Sequence, residues 1–127
     1  MEISPVNIEC DFKKIVEEEM EEKFKLTLFR IIQEHLNNIL QYAEAQRVFI
    51  MLSQNRTSLV LTISDNGIGY DTNKLQKGIG ITNIKSRAIS YNGVANFVSQ
   101  PGNGCVLKVT FPVDSIREKN RQLSKAT

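Results

Sequence analysis

The order of hydrophobic periods along the chain predicts an α+β fold, a two-layer α/β sandwich whose mixed, mostly antiparallel sheet carries its helices on one face. Three observations lead there. Period-two alternation recurs in short runs while helical spacing marks two other segments. Short polar connections join the strand-like runs as hairpins more often than as crossovers. The chain's 127 residues, 41% hydrophobic and 24% charged, supply one core and leave no room for a second domain.

Val6, Ile8, Cys10 and Phe12 alternate with Asn7, Glu9 and Asp11, predicting an opening strand with one buried face. From Glu18 to Ala43 the spacing becomes helical, with Leu28, Ile32, Leu36, Ile39 and Ala43 at steps of four and three. Arg47 to Leu52 and Ser58 to Asp65 read as strands joined by a five-residue polar turn. A polar stretch from Asn66 to Gly80 is too long for a tight turn, and loops of that length usually bind something. Ile81, Ile84, Ala88 and Ile89 mark a second helix that stops at Asn92 and Gly93, residues that tolerate a left-handed backbone. Val94 to Ser99 and Cys105 to Val113 form a last hairpin around Pro101-Gly102-Asn103-Gly104. The domain is therefore drawn over residues 1–113, followed by a polar tail over 114–127.

Composition excludes several classes. Sixteen Lys and Arg against fourteen Asp and Glu leave a net charge of +2, too small to argue for a nucleic-acid partner. The charge is uneven: residues 1–23 carry eight acids and three bases, so the remainder runs basic, which suits a phosphate ligand. No apolar run approaches the roughly 20 residues that cross a bilayer, and the first residues lack the features of a secretory signal. Cys10 and Cys105 are far apart and each sits in an apolar alternation, which predicts two small buried thiols in a reducing, cytoplasmic setting.

Three groups of residues carry candidate chemistry. Glu34 and Asn38 lie one helical turn apart, predicted opposite the apolar stripe; together they can hold a water and a hard cation, Asn38 through its carbonyl oxygen and Glu34 as base or orienting acid. Asp65-Asn66-Gly67-Ile68-Gly69 places a carboxylate at a strand end before two glycines, where a ligand can approach the backbone. A buried Asp65 would accept from an exocyclic amine such as adenine's and reject bases lacking the donor. Lys77, Gly78, Ile79 and Gly80 lead into the second helix, whose free N–H groups form an anion site, with Lys77, Lys85 and Arg87 as candidate phosphate partners. Each group has a plain alternative: a solvated helix face, a capped glycine turn, ordinary surface charge. His35 is the one histidine; with no Cys, second His or acid cluster spaced around it in the sequence, a structural or surface role is expected rather than a metal site. No nucleophile elbow and no Walker motif occurs.

Glu34 with Asn38, then Asp65 to Gly69, then Gly78-Ile79-Gly80 resemble, in this order, the N box and glycine boxes of the gyrase, heat-shock chaperone, histidine kinase and mismatch-repair ATPases. The stretches FRIIQEHLNNILQYAEA and GIGITNIKSRA resemble most closely the ATP-binding catalytic domain of sensor histidine kinases of the nitrate-sensor type. The resemblance, over residues 24–113, implies a Bergerat-type ATP-binding fold with ATP and Mg²⁺ as cofactors. It implies Glu34 as catalytic base, Asn38 as Mg²⁺ ligand, Asp65 as adenine anchor, and Gly67 and Gly69 beneath the base. Lys77, Gly78 and Gly80 would serve the phosphates, with residues 70–77 as a lid. It also implies transfer of the γ-phosphate to a histidine on a separate dimerisation domain and onward to a response regulator, in a cytoplasmic protein or the cytoplasmic part of a membrane-bound sensor. A serine kinase of the anti-sigma type and an inactive nucleotide switch share the same boxes. Two positions depart from the pattern: Gln41-Tyr42-Ala43 stands where many relatives have Lys-His-Ala, and Gly104-Cys105 where many have Gly-Thr. A thiol is a poorer hydrogen-bonding group than a hydroxyl.

Overall fold

The structure, a computed structural model, describes residues 6–13, 15, 17–69, 81–99 and 102–117. Strand β1 (Asn7–Lys13) leads through a 3-10 turn (Glu17–Glu19) into helix α1 (Glu22–Asn38), which widens into a π turn (Ile39–Ala43). Strands β2 (Arg47–Gln54) and β3 (Ser58–Asp65) follow, then helix α2 (Ile81–Ile89), β4 (Val94–Ser99), β5 (Cys105–Pro112) and the short helix α3 (Val113–Ile116). The strands form one sheet in the order β1-β2-β3-β5-β4, parallel between β1 and β2 and antiparallel elsewhere. This is the mixed, mostly antiparallel sheet that the hairpin count predicts.

Alternation fixes which face is covered. Val48, Ile50 and Leu52 of β2, Leu59, Leu61 and Ile63 of β3, and Leu107, Val109 and Phe111 of β5 are buried while their neighbours are not. They meet Phe24, Leu28, Ile31 and Ile39 from α1 and the following turn, and Ile84 and Ala88 from α2, in a single core. Phe24 sits at its centre, edge-on to Phe111 with ring centroids 4.9 Å apart and to Tyr91 at 5.1 Å. The β2–β3 turn is closed by Asn55, whose Oδ1 accepts from the backbone N–H of Thr57 at 2.9 Å and of Ser58 at 2.8 Å. Helix α2 stops as its sequence predicts: Asn92 takes a left-handed φ of 60° and Gly93 N–H returns to the Ala88 carbonyl at 2.8 Å.

Three expectations need correction. The alternation of β1 does not bury a face: the strand lies at the sheet edge, and Ile8, Cys10 and Phe12 are exposed, so Cys10 is not a buried thiol. The long helix is not continuous from Glu18, because the 3-10 turn ends before Met20, which pairs with Arg117 as an isolated bridge. Ile89, included in the apolar face of α2, is exposed. The chain after Val113 also packs on this core: Ile116 is buried, and its carbonyl accepts from Glu21 N–H at 2.8 Å.

Candidate functional site

Asp65 ends β3 and lies in register between Val48 of β2 and Cys105 of β5. It shares the parity of Leu59, Leu61 and Ile63, so the strand puts a carboxylate on the face that the helices cover. Only 9% of the residue is exposed. Its Oδ1 accepts the Gly67 N–H at 2.8 Å, while Oδ2 is buried with no hydrogen-bond partner. Burial raises the Asp65 pKa above the ordinary carboxylate value, and the backbone N–H groups of Gly67 and Cys105 pull the other way. A buried acceptor without a donor is costly, and a ligand bearing one removes that cost.

The loop after Asp65 is tied to the end of α1 and the start of β2. Asn66 Oδ1 accepts from the N–H groups of Gln46 at 2.9 Å and Arg47 at 2.8 Å, and Ile68 N–H reaches the Ala43 carbonyl at 2.8 Å. Gly67 is required by this closeness, since a Cβ there would collide with the Ala43 carbonyl oxygen. Gly69, also buried, takes a left-handed φ of 70°. The two glycines thus let the loop lie against the π turn, a feature the spacing of apolar residues did not predict.

Helix α1 completes the arrangement. Its buried stripe is Phe24, Leu28, Ile31 and His35, continued by Ile39, with Ile32 and Leu36 only partly buried. The predicted stripe, centred on Ile32 and Leu36, was therefore rotated by most of a quarter turn at 100° per residue. Glu34 and Asn38 do not stand opposite the stripe: they flank it, half-buried, on the shoulder beside His35. One turn of helix then carries Glu34, His35 and Asn38, and the His35 ring nitrogens, an Asp65 carboxylate oxygen and the Cys105 Sγ include one atom from each residue within 4.8 Å of one another. The helix turn that carries His35 and the strand-end acid are thereby brought to one place. Lys85 and Arg87 lie half-buried on α2. Lys77, Gly78, Gly80 and the expected lid over 70–77 lie outside the described residues.

His35 lies in the core rather than at the surface, and Asp65 and Cys105, distant from it in sequence, stand adjacent to it in the fold. It is 1% exposed, edge-on to Phe97 at 5.6 Å, and burial lowers its pKa to about 4. Its place in the core was legible: Phe24, Leu28, Ile31, His35 and Ile39 recur at steps of four, three, four and four. Asn66, named in the sequence only as part of the glycine stretch, joins loop to strand; Asx residues at strand ends carry that signal.

Residues 24–115 match the family model described as histidine kinase-, DNA gyrase B-, and HSP90-like ATPase. The sensor histidine kinase LiaS of Bacillus subtilis is 31% identical over 110 residues, which is 86% of this chain and 30% of that protein. The sensor protein VraS of Staphylococcus haemolyticus is 32% identical over 94 residues, 73% of this chain and 27% of that protein. The chain thus spans about 30% of the length of the curated relatives it matches. Among solved structures, the histidine kinase domain of the blue-light activated kinase from Erythrobacter litoralis EL346 superposes with a TM-score of 0.68 at 15% identity, covering 86% of this chain and 52% of that one; it shows the shared fold. With the family model matching most of its length, the chain belongs to the histidine kinase-, DNA gyrase B-, and HSP90-like ATPase family, as an ATP-binding domain of the histidine-kinase type.

Proposed function

We propose that this domain, of the nitrate-sensor kind, binds Mg·ATP and presents the γ-phosphate to a histidine on a separate dimerisation domain, from which the phosphoryl group passes to a response regulator. The observation that carries the reading is Asp65: one oxygen is held by Gly67 and the other, buried and unpartnered, awaits a donor. The exocyclic amine of adenine is such a donor, and guanine offers a carbonyl at the corresponding position. Glu34 and Asn38 supply oxygen atoms on the neighbouring shoulder of α1, the donor type that a hard cation takes. Asn38 would hold Mg²⁺, which supplies charge neutralisation along the triphosphate when bound. Glu34 would orient or deprotonate the attacking imidazole, and Lys77, Gly78 and Gly80 would serve the phosphates.

The chain cannot phosphorylate itself by this route on its one histidine, since His35 lies inside the N box and is buried in the core. The acceptor must come from another segment or another chain. Among the described residues no helix is long and apolar enough to cross a membrane. We place the domain in the cytoplasm, where ATP is supplied. The test is to mix the domain with Mg·ATP labelled at the γ-phosphate and a dimerisation helix pair from the same source. Acid-labile label on the helix-pair histidine is the expected result; acid-stable label on serine of an added partner, or none at all, contradicts the assignment.

A further inference from the structure

The cluster of His35, Asp65 and Cys105 joins a buried helix position to two register-paired strand positions, and the adenine reading uses only Asp65. One ligand atom from each residue lies within 4.8 Å of the others, drawn from α1, β3 and β5. A tetrahedral zinc site with bonds of about 2.0–2.3 Å separates its ligand atoms by about 3.3–3.8 Å, so the three need to draw in by about 1 Å when the ion binds. Both His35 nitrogens and Asp65 Oδ2 are buried without hydrogen-bond partners. His35 is 1% exposed, so its ring cannot turn to water for one, while the Cys105 thiol, 2% exposed, has the Ser99 side chain as its hydrogen-bond neighbour.

We propose that His35, Asp65 and Cys105 form a binding site for a thiophilic divalent cation such as Zn²⁺, and that the ion and a purine compete for Asp65. Thiolate and imidazole select such an ion over Mg²⁺ or Ca²⁺, whose preferred ligands are oxygens. The charges balance: binding expels the thiol proton to solvent, and thiolate plus carboxylate neutralise the two charges of the ion in a place where net charge is expensive. The protein supplies three ligands and leaves a fourth position to water. The competition clause rests on the assignment of Asp65 to the adenine amine; the site itself does not.

The test uses Co²⁺ as a spectroscopic probe on the reduced chain after chelator treatment. One equivalent should produce a thiolate-to-cobalt charge-transfer band with tetrahedral visible bands, and Zn²⁺ should displace it. Cys105→Ser and, independently, His35→Leu should abolish the bands with circular dichroism unchanged, while Cys10→Ser, which removes the exposed thiol, should keep them. Absence of the bands, their survival in Cys105→Ser, or their loss in Cys10→Ser overturns the site. Adenosine, which has no phosphates to chelate metal, should bleach the bands of the parent protein. Bands that persist under saturating adenosine overturn the competition. ATP binding measured separately, with transition metals removed, reports on the adenine assignment alone.

Discussion

Asp65 and His35 are both polar, both buried, and differ in what burial does to them. Asp65 keeps one hydrogen bond to Gly67 and one free acceptor, so Asp65→Asn should preserve the loop through Oδ1 and set an amide donor against the adenine amine. ATP affinity should fall by about ten- to a hundredfold, the worth of a hydrogen bond to a charged group, with the melting temperature nearly unchanged. Calorimetry on parent and variant checks this, and equal affinities would remove Asp65 from the site. His35 has its folded pKa lowered from 6.5 to about 4 by burial. The unfolded chain therefore binds more protons over that interval, and stability, complete above pH 6.5, is lost as pH falls toward 4, by about 3 kcal/mol in all. Asp65, whose pKa is raised, acts with the opposite sign as pH rises from the ordinary carboxylate value. Comparing the metal-free parent with His35→Leu isolates the imidazole: the parent should lose stability more steeply between pH 6.5 and 4, and parallel curves would contradict the burial argument.

At the scale of elements, the contact between the Asp65 loop and the π turn holds the end of α1 against the strand end that carries the acid. Gly67→Ala forces a methyl against the Ala43 carbonyl and should cost about 1–3 kcal/mol while weakening ATP binding, because loop and helix end must part. Denaturant midpoints read the first effect and calorimetry the second; a Gly67→Ala protein with parent stability would show that the close approach is dispensable. The elements themselves were mostly legible. Strand β3 begins and ends where its alternation does, and the Asn92-Gly93 stop falls on the residue with positive φ. What could not be read was relative placement. Glu34 and Asn38 were paired correctly by spacing but assigned to the wrong side of α1, because Ile32 and Leu36 look as apolar as Phe24 and Ile31. Only the docked sheet decides which of two overlapping stripes is buried. The same limit applies to β1, whose alternation resembles that of a covered strand although its apolar residues are exposed. Cys105 meets Asp65 because β3 pairs with β5 rather than with β4, its successor in the chain, a long-range fact that no local pattern carries.

At the scale of the molecule, one core holds the sheet against α1 and α2, and the site lies where the C-terminal end of β3 meets the last turns of α1. Phosphoryl transfer asks little covalent chemistry of such a domain: positioning and charge do most of the work, and in the proposed function the acceptor histidine arrives from elsewhere. The domain alone should therefore bind nucleotide and turn it over slowly, with turnover rising when the helix pair is added. The whole account depends on where the base sits. A crystal structure of the domain with Mg²⁺ and a non-hydrolysable ATP analogue measures this directly. The account predicts the adenine amine within hydrogen-bonding distance of Asp65 Oδ2; a purine seated away from β3, with that oxygen still unpartnered, would contradict it.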